Sequence, residues 1–426
     1  MDTNPGKYRW TVVALLFVAT TINYLDRQVI SLLKPVLEQE FSWTETDYSR
    51  IVLAFSAAYA LGLAGFGRIV DQIGVKLGYT LSAVSWSLAA MAHALARSTG
   101  GFIAVRALLG LGESGNFPTA IKSVAEWFPK RERALATGIF NAGANIGAVA
   151  APIMVPWLLE VYGWRAAFVV TGAIGFLWVI AWWRYYEHPA RQARLSRAEY
   201  AYIHQDQADS TEDAAPVNWW LLFRFRQTWA FIAGKFLTDP IWWFFLFWLP
   251  SYFTSTFQLD FKKPSLPLVI VYTATTLGSI GGGYLSSWLI RRGWTPFRAR
   301  KTAMLGFATA VMPIMAARYA TDLWVAVTLI SLAAAAHQAW SANIYTTASD
   351  VFPKKAISSV IGIGGMAGSI GGMLFPLLVG ALLDSYKAAG NILAGYNLLF
   401  LLSGMAYIIA WGVMHLCTPR MKMVEV

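Results

Sequence analysis

Asp26, Arg27, Arg106, Glu113, Lys235, Asp239 and His337 are ionisable side chains set inside long apolar runs, and any chemistry of this chain starts with them. A charge in hydrocarbon costs several kcal/mol unless it is paired or hydrated, so each needs a reason to be there. Asp26 and Arg27 sit in Asn23-Tyr24-Leu25-Asp26-Arg27. Neighbours on a helix are about 100° apart, so the two need not pair with each other, and an interfacial anchor is the plainer alternative. Arg106 and Glu113 are seven residues apart, two turns along one face, and Gly110, Gly112 and Gly115 leave room for water or a ligand beside the carboxylate. An interhelix salt bridge involving Arg106 and Glu113 is the structural alternative. Lys235 and Asp239 share a helical face just before Pro240, which reads as a mutually neutralised pair or as charge opening onto a cavity. His337 keeps polar company in Gln338, Ser341, Asn343, Tyr345 and Thr346; it is either a hydrogen-bonded packing residue or part of a cavity wall. Lys122 and Glu126, four apart, read as a local pair.

These groups do not assemble into hydrolytic or phosphate-handling patterns. The sequence has no Gly-x-x-x-x-Gly-Lys loop, no His-Glu-x-x-His and no Gly-x-Ser-x-Gly elbow. Gly281-Gly282-Gly283 follows no strand, so it carries little weight as a nucleotide signal. Cys417 is the single cysteine, which rules out an intrachain disulfide or a thiolate metal site. No cofactor and no metal are expected, and an enzyme is the remotest class.

The elements that must position these side chains are helices in lipid. Of 426 residues 57% are hydrophobic and 13% charged, against about a quarter charged in a soluble domain. Apolar stretches of roughly 17 to 25 residues are long enough to cross a bilayer as helices. Twelve are expected, at 9–33, 46–70, 78–97, 100–128, 133–159, 164–186, 227–257, 266–291, 300–317, 321–350, 356–383 and 393–417. The first is followed by no small-residue cleavage site and reads as a retained span. The net charge of +11 invites a nucleic-acid reading, but Arg68, Lys76, Lys130, Arg131, Arg133, Arg291, Arg292, Lys354 and Lys355 fall in alternate connections. That is a positive-inside signal, which puts both termini in the cytoplasm and excludes nucleic acid as the reason for the charge.

The chain also repeats itself. Phe128-Pro129-Lys130 and Phe352-Pro353-Lys354 lie 224 residues apart, and the same offset pairs Gly138 with Gly362, Gly147 with Gly371 and Pro152 with Pro376. A parallel repeat of two six-span halves is a transporter arrangement, with substrate held between the halves near the bilayer midplane. The expected division is a first bundle at 1–190, a cytoplasmic linker at 191–226 and a second bundle at 227–426. In the linker, Ser196 can cap a short helix with Tyr200 and Ile203 on its apolar side, and Asp206 to Pro216 reads as an acidic connector.

Several motifs resemble a known family. Gly67-Arg-Ile-Val-Asp71-Gln-Ile-Gly74-Val-Lys76 is similar to the signature loop of the major facilitator superfamily. Asn23-Tyr24-x-Asp26-Arg27, Arg106-x6-Glu113, Glu126-Trp127-Phe128-Pro129 and Phe140-Asn141-x-Gly143 resemble its anion:cation symporters. Gly234 to Trp243, His337 to Ile344 and Gly362 to Gly372 look most like the hexuronate branch. The resemblance implies an all-α membrane protein, twelve helices in two pseudo-symmetric six-helix bundles, in a cell membrane (the inner membrane of a bacterium). It implies a monomer that carries a small organic anion, a sugar acid, together with protons. Arg27 then matches the arginine that meets the substrate carboxylate. Asp26 and Glu113 match the proton-carrying carboxylates, with Arg106 tuning the latter. Tyr24 and Tyr59 match cavity tyrosines, and Asn145, His337, Asn343, Thr346 and Ser369 complete the expected substrate site. Gly67, Asp71, Gly74 and Lys76 form the expected gate, with Asp71 latching the cytoplasmic ends. Galactonate transporters place a glutamine where this chain has Ala144 and an asparagine where it has Ser369, which counts against galactonate; a ring-form uronate or another acid fits. The rivals are a same-fold carrier of an aromatic acid, a dicarboxylate or phosphate, and an anion sensor that binds without transport.

Overall fold

The computed structural model describes residues 6–205, 218–258, 266–420 and 423–424. The acidic connector Asp206 to Pro216 lies outside the described residues. The polar N–H and C=O groups of a backbone in lipid must hydrogen-bond to one another, and the chain does so with helices. In order they are α1 (Tyr8–Phe41), α2 (Glu45–Ile73), α3 (Val75–Ala92), α4 (Thr99–Glu113), α5 (Asn116–Trp127), α6 (Lys130–Tyr162), α7 (Trp164–Tyr185), α8 (Arg197–His204), α9 (Arg226–Phe257), α10 (Leu266–Arg291), α11 (Pro296–Val311), α12 (Leu323–Val351), α13 (Ile357–Ala388) and α14 (Ile392–Cys417). No strand occurs among the described residues.

Helices cover all the expected spans, and eight of them among the described residues are long and apolar enough to cross a membrane. There are three differences, the first being that the third span ends in a 3-10 turn, His93–Leu95. The fourth is broken into α4 and α5 at Ser114-Gly115, directly after Glu113, and the ninth ends in a 3-10 segment, Met312–Tyr319. Local chemistry sets the ends. Thr44 and Asp47 form a reciprocal capping box at the start of α2 (Asp47 N to Thr44 Oγ1 3.2 Å, Thr44 N to Asp47 Oδ2 3.0 Å). Asp322 caps α12 through the amides of Trp324 and Val325, and Pro296 opens α11 at a position where its missing N–H costs nothing.

Packing repeats as the sequence does. In the first set of helices α1 lies along α6, α2 along α4 and α3 along α7; in the second, α9 lies along α13, α10 along α12 and α11 along α14. The sets meet at two crossings, α6 on α10 and α13 on α2. Repeat-related glycines make both possible. A methyl group at Gly138 would strike the carbonyl of Ser279, and one at Gly283 the carbonyl of Ala134. At the other crossing Gly362 meets the carbonyl of Leu63, and Gly67 that of Ser358. Side chains of minimal size let these backbones touch.

Helix α8 is capped by Ser196 as expected (Glu199 N to Oγ 3.1 Å) and buries Ile203, whereas Tyr200 is exposed. It is more than a connector. Glu199 accepts from the amides of Tyr8 and Arg9, both at 3.1 Å, and so caps the start of α1 with a negative charge. The Arg9 guanidinium is clamped between Glu199 (3.0 Å) and Glu132 (2.8 Å).

Candidate functional site

The first wall of the central cavity comes from α1 and α2. Arg27 lies over the rings of Tyr24, Phe55 and Tyr59 at 4.6, 5.0 and 4.7 Å, a cage that orients its plane. Its Nη2 and Nε reach Glu113 Oε2 at 2.8 and 2.9 Å. Arg27 thus takes the carboxylate that the spacing of α4 offered to Arg106. Arg106 donates instead to the backbone carbonyl of Arg27 (Nη2, 3.3 Å) and lies 4.9 Å from the Phe55 ring. Facing Arg106 along one helix did not hold Glu113 against a guanidinium brought in from another helix. The glycines around Glu113 also differ from expectation. Gly110 sits against the Phe55 carbonyl, Gly112 against the Trp86 backbone and Gly115 against Ser82, so they close helix contacts rather than leave space. Asp26 is buried at 1% exposure, and no ion pair joins it to Arg27.

The facing wall comes from α9 and α12. Lys235 and Asp239 pair at 2.7 Å, as their i,i+4 spacing suggested, and Lys235 also donates to the Tyr345 hydroxyl at 2.9 Å. Trp242 stacks flat on His337, with ring centroids 5.2 Å apart and planes within 4°. The other edge of the imidazole hydrogen-bonds the Tyr407 hydroxyl through Nδ1. Asn141 of α6 bridges the two sets of helices, donating to Gln338 Oε1 at 2.9 Å and to Ser279 Oγ at 3.1 Å.

Of the residues expected in the substrate site, Tyr24, Arg27, Tyr59, His337 and Ser369 line this cavity. Asn343 and Thr346 do not: Asn343 donates to the carbonyls of Gly282 and Ala339, and Thr346 to that of Ala342. A polar side chain facing a neighbouring helix is spent on packing, and position in a polar run does not reveal which way it faces. Asn145 is buried, and its neighbour Ala144 takes the lining position. Asn141 and Gln338 line the cavity although neither was expected in the substrate site, and Lys235 and Asp239, which read as a neutral pair or as charge opening onto a cavity, prove to be both. Their signal was available in Phe140-Asn141-x-Gly143 and in the intramembrane pair itself.

Asp71, one of the residues expected to form a gate, joins the two sets of helices. Asp71 accepts from Lys122 at 2.9 Å and from the amides of Ser358 and Ser359 at 3.2 and 2.7 Å, so an α2 carboxylate sits on the N-terminus of α13. Lys122 therefore does not pair with Glu126, which accepts from the Tyr186 hydroxyl at 3.1 Å. Gly74 turns the chain with φ of 81°. Lys76 pairs with Glu187 at 2.8 Å and takes no part in the latch. A second clasp joins the sets at the same end: Arg133 and Arg300 hold Asp350 at 3.1 and 3.3 Å, and Arg300 donates to the Lys130 carbonyl at 2.7 Å.

Comparison with known proteins agrees with this architecture. Residues 16–376 match the model of the Major Facilitator Superfamily. A hexuronate transporter of Escherichia coli (strain K12) is 34% identical over 397 residues, covering 92% of this chain and 92% of the relative. A galacturonate transporter of Dickeya chrysanthemi is 33% identical over 279 residues, 65% of this chain and 81% of the relative. Among solved structures, the proton:xylose symporter XylE superposes with a TM-score of 0.73 at 14% identity, covering 97% of both chains, a likeness of fold.

Proposed function

The chain belongs to the major facilitator superfamily, and from that premise we propose that it carries a sugar acid, a hexuronate, across a cell membrane with protons, by alternating access. The observation that carries this reading is a caged arginine in the cavity wall whose only charge partner on α4 is a buried, protonatable carboxylate. Arg27 is 10% exposed at its side chain and Glu113 not at all. A substrate carboxylate can take both guanidinium nitrogens in parallel only when Glu113 lets go of them. A proton on Glu113 removes the charge that holds Arg27, so proton binding and anion binding favour each other. Without either, closing the cavity buries an ion pair; with both, it buries a second pair of the same kind plus a neutral acid. An anion without the proton leaves a bare carboxylate in a dry site, which costs several kcal/mol. That penalty couples the fluxes. Asp26, behind α1, is a second proton carrier in this reading, and Arg106 positions α1 through the Arg27 carbonyl. The sugar hydroxyls face His337, Ser369, Asn141 and Gln338.

The moving parts are the halves 1–190 and 227–426, joined by 191–226, in a protein that works as a monomer. The basic end, with the Asp71 latch and the Asp350 clasp, is cytoplasmic in a bacterial inner membrane, and both termini lie there. The structure then corresponds to a carrier closed towards the cytoplasm. Uptake of labelled glucuronate or galacturonate into proteoliposomes tests the reading: an inward proton gradient accelerates it and a protonophore abolishes the acceleration. Sodium-dependent uptake that ignores the protonophore would overturn the coupling.

A further inference from the structure

We infer that Asp239 sets the charge class of the substrate: it admits sugar acids with one carboxylate and rejects those with a carboxylate at each end. The inference rests on the sugar-acid reading above and goes beyond it to selectivity.

Arg27 on α1 and the Lys235–Asp239 pair on α9 belong to different walls of one cavity. A molecule whose carboxylate meets Arg27 turns its far end to α9, and there it meets the acid rather than the base. The Lys235 side chain is 4% exposed and its ammonium is committed to Asp239 (2.7 Å) and Tyr345 (2.9 Å), whereas Asp239 is 21% exposed. Behind the carboxylate stands Gly368 of α13, where even a methyl group would strike the Asp239 side chain, so the acid has nowhere to retreat. A carboxylate bonded to one ammonium keeps lone pairs free for further donors. Sugar hydroxyls supply such donors and gain charge-assisted hydrogen bonds. A second substrate carboxylate supplies none and faces a like charge in a low-dielectric site, which is discrimination by repulsion.

The test measures binding of a labelled hexuronate to the purified protein, in competition with the unlabelled hexuronate and with the corresponding aldarate, which has carboxylates at both ends. Wild type, Asp239→Asn and the double variant Lys235→Gln/Asp239→Asn are compared. In wild type the aldarate competes about tenfold or more worse than the hexuronate. In Asp239→Asn the hexuronate weakens about tenfold, while Lys235, freed of its partner, attracts the second carboxylate and the preference reverses. The neutral double variant weakens hexuronate binding without that reversal. Equal competition by both acids in wild type overturns the inference whatever the variants do. So does an Asp239→Asn protein that binds with the wild-type preference. Wild type that binds no hexuronate at all is a different result: it removes the sugar-acid reading, and the inference falls with it.

Discussion

Arg27 Nη2 lies 2.8 Å from Glu113 Oε2, and Nε of the same guanidinium lies 2.9 Å from the same oxygen. A guanidinium and a protonatable carboxylate are therefore one unit, contributed by α1 and α4. Glu113→Gln keeps the shape but cannot hold or release the charge. We expect the empty variant to melt lower than wild type, since a buried guanidinium loses its partner at a cost of about 3 to 5 kcal/mol. Hexuronate restores a partner, so its thermal stabilisation exceeds that of wild type. Exchange of labelled for unlabelled substrate persists and gradient-driven accumulation fails. A stable variant that accumulates substrate normally would show that Glu113 has no part in coupling.

Arg27→Lys keeps the charge and loses the geometry. An ammonium is a point charge without parallel donors, and it cannot fill the cage of Tyr24, Phe55 and Tyr59 with a planar face. Hexuronate affinity is expected to fall about 10- to 100-fold, the equivalent of one charge-assisted hydrogen bond. Calorimetric binding on purified protein measures it, and an unchanged affinity would free Arg27 of the anchoring role.

Asp71→Asn takes the charge from the latch but leaves its shape. Lys122 loses its ion pair, and the amides of Ser358 and Ser359 lose a charged acceptor. Closure at that end weakens by about 1 to 3 kcal/mol, so hydrogen exchange at residues 356–362 speeds up while the α10–α12 core is unaffected. Exchange rates identical to wild type would mean that the two backbone bonds do not hold the closed state.

Gly138→Val and Gly362→Val probe the two crossings with the same change. Each would drive a side chain into a facing carbonyl, of Ser279 in one case and Leu63 in the other. Both are expected to block closure and abolish transport to a similar extent while each half stays folded, as judged by circular dichroism and monodisperse elution. Loss of transport in one alone would break the functional equivalence of the crossings.

Much of this protein was determined by the sequence alone. Residues 9 to 417 state their apolar spans through run length, because a bilayer of fixed thickness demands it. The offset between Gly138 and Gly362 announced the repeat, and the structure returned it as two matching helix crossings. The i,i+4 pair Lys235–Asp239 was legible because both partners ride on one helix, whose geometry is known beforehand. What only the tertiary structure decided is which group on one helix meets which on another. Glu113 went to Arg27 rather than Arg106, Lys122 to Asp71 rather than Glu126, and Asn343 and Thr346 turned to backbone carbonyls instead of the cavity. Spacing along a chain fixes angles about a single helix axis. It is silent on the rotation and approach of neighbouring helices, and a buried charge goes to whichever partner that packing brings within reach.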